Sequence, residues 1–355
     1  MKKQIISFGV VAGLLAISNS ASAAHPVAYD FFPMDSGNVW IFHTVENKTD
    51  HRLDIVEVDQ SVYAGVPATA RVLSGLFGSD IPVWDHVNSA NMWTHDNSQW
   101  SKFVDFDASY GETWGMRTGP CNDYDVEYIN GADAVTPAGT FVAPKTFNFD
   151  FTPDANVKCA YAPIQQAAFA QDVGLVSIER ATSTSDLLFG RVDGVIVAAG
   201  AGETRYDADG VAYTMALVAD EITQPHPIYC FTTPCPQPVE SLRLALIVEN
   251  LTDHTVTRSY ANSQQFDVDV FELGGENVTS WSDDKMFLQA TTELTLQPGE
   301  REVYYVELPM LATKGKSEGA TLAGEYQVVS YLTGVDQNGV GASKLSTTIA
   351  VYPGN

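Results

Sequence analysis

Apolar and polar residues alternate with a period of two along most of the chain, and that pattern leaves few folds open. In "SLRLALIVEN", Leu242, Leu244, Leu246 and Val248 share one face, while Arg243 and Glu249 share the other. In "QFDVDVFEL", Phe266, Val268 and Val270 alternate with Asp267 and Asp269. "REVYYVELP" and "KLSTTIAVY" repeat the pattern through Tyr304, Val306 and Leu308, and through Leu345, Thr347, Ile349 and Val351. Successive side chains of a strand point to opposite faces, so each stretch reads as a strand with one buried face. Turn clusters separate them: 250–253, Gly274-Gly275-Glu276-Asn277, Pro298-Gly299-Glu300 and Gln337-Asn338-Gly339. Earlier in the chain, "NVWIFHTVE" and "RLDIVEVD" read as paired strands joined by "NKTDH", and "TFNFDFTPD" and "VGLVSIER" also alternate. The one helical expectation is "YAPIQQAAFAQDVG", where alanine-rich spacing suits two or three turns. The fold class is therefore all-β, with two antiparallel β domains, the C-terminal one an immunoglobulin-like sandwich.

The first residues read as a targeting segment. Lys2 and Lys3 precede a mostly apolar run from Ile5 to Ile17, and Ala21-Ser22-Ala23 forms a small-residue cleavage site. Residues 1–23 are then a signal peptide. The mature chain is expected to be exported, to a periplasm or the outside, without a lipid anchor, since Ala24 and not Cys follows the cut. No later run has the length of a transmembrane helix. The Gly-Ala cluster "AAGAGE" marks the best boundary, giving domains at 24–199 and 200–355. "VAYTMALVAD" would open the second domain. The net charge of −25 makes nucleic acid and anionic membrane poor partners.

Four cysteines in an exported chain imply two disulfides, with three connectivities open. Proximity favours Cys121 with Cys159, and Cys230 with Cys235, the latter stapling a proline-rich loop over 222–238. His226, four residues before Cys230, offers a metal alternative that lacks a fourth ligand.

No HExxH, phosphate loop, GxSxG elbow or complete dinucleotide fingerprint occurs. His86 and His95, beside Asp85 and Asp96, fit no common metal spacing and read as a polar loop. Asp105, Asp107 and Ser109 begin like a calcium loop, but Gly111 falls at the seventh position and Met116 at the twelfth. "DADG" reads as a hairpin turn with positive φ at Gly210. Trp84, Trp93, Trp100 and Trp114, with Phe103, Phe106 and Tyr110, form an aromatic stretch suited to a sugar platform or, preferably, to a β core. The chain is expected to use no cofactor or metal and to be no enzyme.

Residues 241 to 309 resemble the BsuPI-type intracellular proteinase inhibitor family. The resemblance lies in "VENLTDHTV", "NSQQFDVDVFELGGENVTSWSDDKMFLQA", "LTLQPGE" and the "VYYVEL" strand, in the family's order. It implies scaffold roles for Gln265, Phe266, Asp267, Trp281, Phe287, Pro298, Gly299 and Glu300, with Trp281 and Phe287 as core plugs between the sheets. It also implies a subtilisin-like serine protease, secreted or periplasmic, as partner. No reactive residue carries over. The long loop "MLATKGKSEGATLAG" is the expected contact, through Met310, Leu311, Lys314 and Lys316. The alternative is an envelope or extracellular adhesion module that binds a glycan or protein without inhibiting.

Overall fold

The computed structural model describes residues 30–33, 35–58, 61–63, 66–68, 71–72, 83–85, 91–96, 99–117, 123–151, 163–207, 210–226, 238–314 and 319–354, with the backbone alone between 61 and 100. Every named element, from Val39–Glu46 to Leu345–Tyr352, is a strand. No helix among the described residues is long and apolar enough to cross a membrane. The signal segment, all four cysteines, His86 and Lys316 lie outside the described residues. So do the side chains of Asp85, His95, Asp96, Trp84, Trp93 and Trp100.

Ten strands form the first large sheet. Its order runs Arg71–Val72, Asp50–Glu57, Val39–Glu46, Ser183–Val192, Gly174–Arg180, Ile164–Ala170, Lys145–Phe151, Asp123–Asn130 and Thr113–Arg117, with Val195–Ala199 also on Ser183–Val192. The expected hairpin over "NKTDH" is present; residues 47–49 connect the paired Glu46 and Asp50, with Asn47 and Lys48 both at positive φ. Val56 near one end of the sheet and Met116 at the other join a single apolar cluster, so the sheet must coil around it. Phe106 fills that core, its ring 5.2 Å from Phe169 and 5.7 Å from Phe147. Phe103 is buried as well, Trp114 is half-buried, and Tyr110 is exposed. The described part of the aromatic stretch is thus mostly core.

The helical expectation over 161–174 fails. Ile164–Ala170 is a strand paired with both Lys145–Phe151 and Gly174–Arg180. Alanine favours helices in isolation, but here Ala167 and Ala168 lie buried in a sheet interior beside Phe169. Small side chains suit that crowded position, and packing overrides a weak local preference.

From residue 201 the strands build a two-sheet sandwich. One sheet runs Ala201–Tyr206, Val211–Leu217, Ser241–Asn250, Arg301–Pro309. The other runs Glu221–Thr223, Leu345–Tyr352, Gly324–Leu332, Phe266–Glu272, Asn277–Ser280. Pairing is antiparallel except for Glu221–Thr223 on Leu345–Tyr352. "VAYTMALVAD" is not the first strand of this unit, because Ala201–Tyr206 precedes it and forms a hairpin with it. Gly210 takes the positive φ (91°) that this turn needs. Gly299, at φ 80°, does the same in the Pro298-Gly299-Glu300 turn, whose amide of Gly299 donates to the Asn250 carbonyl at 2.8 Å.

Ser241–Asn250 is buried on both faces. Leu242, Leu244, Leu246 and Val248 enter the sandwich core. Ala245 and Ile247 turn the other way and pack with Val39, Ile41, Leu188 and Phe189 of the ten-stranded sheet. The polar members of this second face are paired across the contact. Glu249 receives Arg191 Nη2 at 2.5 Å and Nε at 3.0 Å, and Arg301 Nε lies 3.4 Å away. Arg301 in turn bonds Glu57. Arg191 and Glu249 side chains are nearly inaccessible. Removing one partner of a buried ion pair strands the other. Glu249→Ala is therefore expected to lower unfolding free energy by about 3–5 kcal/mol in urea titrations; a loss below about 1 kcal/mol would show that Arg191 and Arg301 are solvated without it.

His43 sits on the same face. Its Nε2 is 3.1 Å from His51 Nδ1 and the rings stack at 5.2 Å. Burial, then the proximity of His51 and of Arg243 from the sandwich, push His43 down from 6.5 to about 4. The folded chain therefore binds fewer protons here than the unfolded one. Its stabilising effect is complete above about pH 6.5 and is lost as pH falls towards 4. At about 1.4 kcal/mol per pH unit this is a loss of about 3 kcal/mol. Between pH 7 and pH 4 the wild type should lose about that much more stability than His43→Leu, and parallel curves for the two would exclude His43 as the source.

Candidate functional site

The strand Asn277–Ser280 pairs with Phe266–Glu272 and runs into a turn at 281–284. Two aspartates hold that turn from different sides. Buried Asp267 accepts the Ser282 hydroxyl at 2.6 Å, the Ser282 amide at 3.2 Å and Gln264 Nε2 at 2.9 Å. Asp283 accepts the Ser280 amide at 2.9 Å and the Lys314 ammonium at 2.6 Å, and also receives the Thr313 hydroxyl. The Trp281 amide donates to the Val268 carbonyl at 2.8 Å. A charged acceptor buried on several donors is a strong local tie.

An aromatic ladder leads outward from this base. Tyr304 lies 4.8 Å from Phe266, Phe266 4.2 Å from Trp281, and Trp281 6.2 Å from Phe287. Lys285 Nζ sits 4.4 Å from the Trp281 ring centroid, a cation–π distance. Beyond it, residues 285–288 carry no regular structure. Met286 is 100% exposed and Leu288 75% exposed, while Phe287 turns back to the ladder. Leu288 is then clamped: its amide donates to Ser263 Oγ at 2.9 Å and its carbonyl accepts the Ser263 amide at 3.0 Å. The result is a short apolar segment presented on a rigid base.

Residues 233–337 match the family described as BsuPI, an intracellular proteinase inhibitor. The C-terminal part is BsuPI-like. The match takes in Asp267, the 281–288 segment and the Pro298-Gly299-Glu300 turn, and it leaves Leu345–Tyr352 outside. No curated protein matches the chain. Among solved structures, one similarity is to a beta-glucosidase involved in saponin metabolism from intestinal bacteria, at 14% identity and a TM-score of 0.19. It covers 45% of this chain, which spans only 18% of that one, and carries no argument.

The BsuPI-like part places the sequence-predicted residues in different roles. Phe266 and Asp267 are buried, and Gln265 Oε1 accepts the Tyr304 hydroxyl at 3.3 Å. Pro298 and Gly299 turn the chain, with Glu300 bonding back to the Gln297 amide at 2.6 Å. Trp281 and Phe287 are half-buried: Trp281 packs against the sandwich core beside Phe266, and Phe287 lies 6.2 Å from the Trp281 ring. In the expected contact loop, Met310 faces inward. It is wholly buried, its amide donates to the Glu240 carbonyl and its carbonyl accepts the Leu322 amide, both at 2.9 Å. Leu311 bridges to Thr321, and Lys314 is spent on Asp283. Met310 thus lies just past the strand Arg301–Pro309 but continues its buried face, in step with Tyr304, Val306 and Leu308.

Asp207 of "DADG" accepts the Val211 amide at 2.9 Å, the Tyr213 hydroxyl at 3.0 Å and Arg258 at 3.0 Å. Burial raises the Tyr213 hydroxyl well above its usual value, so it stays a donor. Asp105 is occupied by Lys102 and by the Asp107 amide. Among the described residues no cluster of His, Cys, Asp or Glu is arranged to hold a metal.

Sequence reasoning missed the exposure of Met286 and Leu288. The signal was present: three consecutive apolar residues between "SDDK" and "QATTE" break the period of two. Since Asp267 is the principal tie of the turn that carries them, Asp267→Ala should cost about 2–3 kcal/mol of stability by chemical denaturation. A change within about 0.5 kcal/mol would show that Ser282 and Gln264 find water instead.

Proposed function

We propose that this chain is an exported, non-enzymatic protein that binds and inhibits a subtilisin-like serine proteinase through its C-terminal sandwich. The observation that carries the proposal is the match of residues 233–337 to a proteinase inhibitor family. The sandwich supports it physically. An inhibitor must offer its contact segment already ordered, since ordering a loop on binding subtracts from affinity. The 281–288 turn meets that need through Asp267, Asp283 and Ser263. Export rests on Lys2, Lys3, the apolar run and Ala21-Ser22-Ala23. We take 24–199 and 200–355 as the two domains, docked through the Glu249 ion pairs and the apolar contact around Ile247.

The test is a titration of the full mature chain against a subtilisin-like proteinase, with residual activity read on a small peptide substrate. Loss of activity should end at one-to-one stoichiometry with the chain intact. Full activity at micromolar chain, or digestion of the chain, would overturn the reading for that proteinase class.

A further inference from the structure

The geometry points to Met286 as the side chain that enters the primary specificity pocket of the target, and hence to a proteinase preferring a long apolar residue there. This rests on the inhibitory reading above. A proteolytic cleft takes its substrate as an extended strand, through backbone hydrogen bonds and alternate side-chain pockets. The residue that docks first needs an exposed side chain together with an amide and carbonyl not already used by its own fold.

Among the described residues of the BsuPI-like part, Met286 meets both conditions most fully. Its side chain is entirely exposed. Neither Met286 nor Phe287 makes a hydrogen bond with the rest of the described chain, whereas the Lys285 amide is bound to the Ser282 carbonyl and Leu288 is bound through both groups to Ser263. The free stretch is therefore two residues long and fixed at both ends. Within it Phe287 turns inward to Trp281, which leaves Met286 pointing out. Other exposed apolar residues of this part lack one condition. Val335 exchanges both backbone groups with Ser259, and Val340 is bound to Asp336 through both of its own. Leu251 and Leu273 are only about half exposed (43% and 52%). Met310 is buried.

The assignment predicts that changing one side chain changes the target. The full mature chain, with Met286→Lys, Met286→Asp and Leu273→Ala variants, would be titrated against two proteinases. One is subtilisin-like with an apolar primary pocket, and the other is trypsin-like with a pocket for Lys and Arg. Met286 touches nothing the fold needs, so all variants should unfold at the wild-type midpoint. Wild type and Leu273→Ala should inhibit the first proteinase. Both Met286 variants should weaken that inhibition at least about thirty-fold, and Met286→Lys should gain inhibition of the second. If wild type inhibits and both Met286 variants match it within about threefold, the assignment fails while the inhibitory reading stands. Equal losses in Leu273→Ala would also overturn the assignment, since the effect would not belong to position 286. If wild type inhibits neither proteinase, both readings fall together.

Discussion

Glu249 is the point at which the two halves of the chain meet. Its carboxylate lies between Arg191, from the ten-stranded sheet, and Arg301, from the sandwich, and Arg301 reaches on to Glu57. Charges this deep are tolerated only where each has a partner in good geometry. The ion pairs therefore fix how one sheet lies on the other, and the apolar contact of Val39, Ile41 and Phe189 with Ala245 and Ile247 follows from that setting. His43 and Arg243 extend the same seam, where burial and the guanidinium favour the neutral imidazole and so avoid a meeting of like charges.

With one sheet of the sandwich covered in this way, Leu251, Leu273, Met286, Leu288 and Val340 expose apolar surface in its turns and connections. Their contrast is informative. The described ends of the 310–322 connection, 310–314 and 319–322, are bonded to one another, with Met310 in the core and Lys314 committed to Asp283. The 285–288 segment is supported from below and left bare on top. Lys314 and Asp283 join the two, so the first connection serves as a strut for the exposed segment.

The alternation of "SLRLALIVEN" and "QFDVDVFEL" made the strands legible, because a period of two has one structural meaning when one face is wet. The same rule misled where both faces are dry. Ala245 and Ile247 sit on the face that Arg243 and Glu249 mark as polar, and nothing local says that another sheet will cover it. The strand Ile164–Ala170 escaped for the related reason that alanine reports packing space as readily as helix preference. At the site, Asp267, Phe266 and the Pro298-Gly299 turn were readable as scaffold. At Met286 the broken period of two signalled irregular structure but not direction, since which apolar residue points out depends on a bond such as that of Ser263 to Leu288, made between residues 25 apart in sequence.

A strand buried on both faces also bears on modularity. The family match begins at residue 233, yet the sheet to which it belongs turns Ala216, Ala245 and Ile247 towards residues before 200. Cut out alone, the inhibitor-like unit would carry a wet apolar plateau, with Glu249 deprived of Arg191 and Arg301 of Glu57 at its centre. Such a surface finds partners indiscriminately, beginning with other copies of itself. The N-terminal sheet therefore acts towards this sandwich as a fitted cover that keeps this face dry.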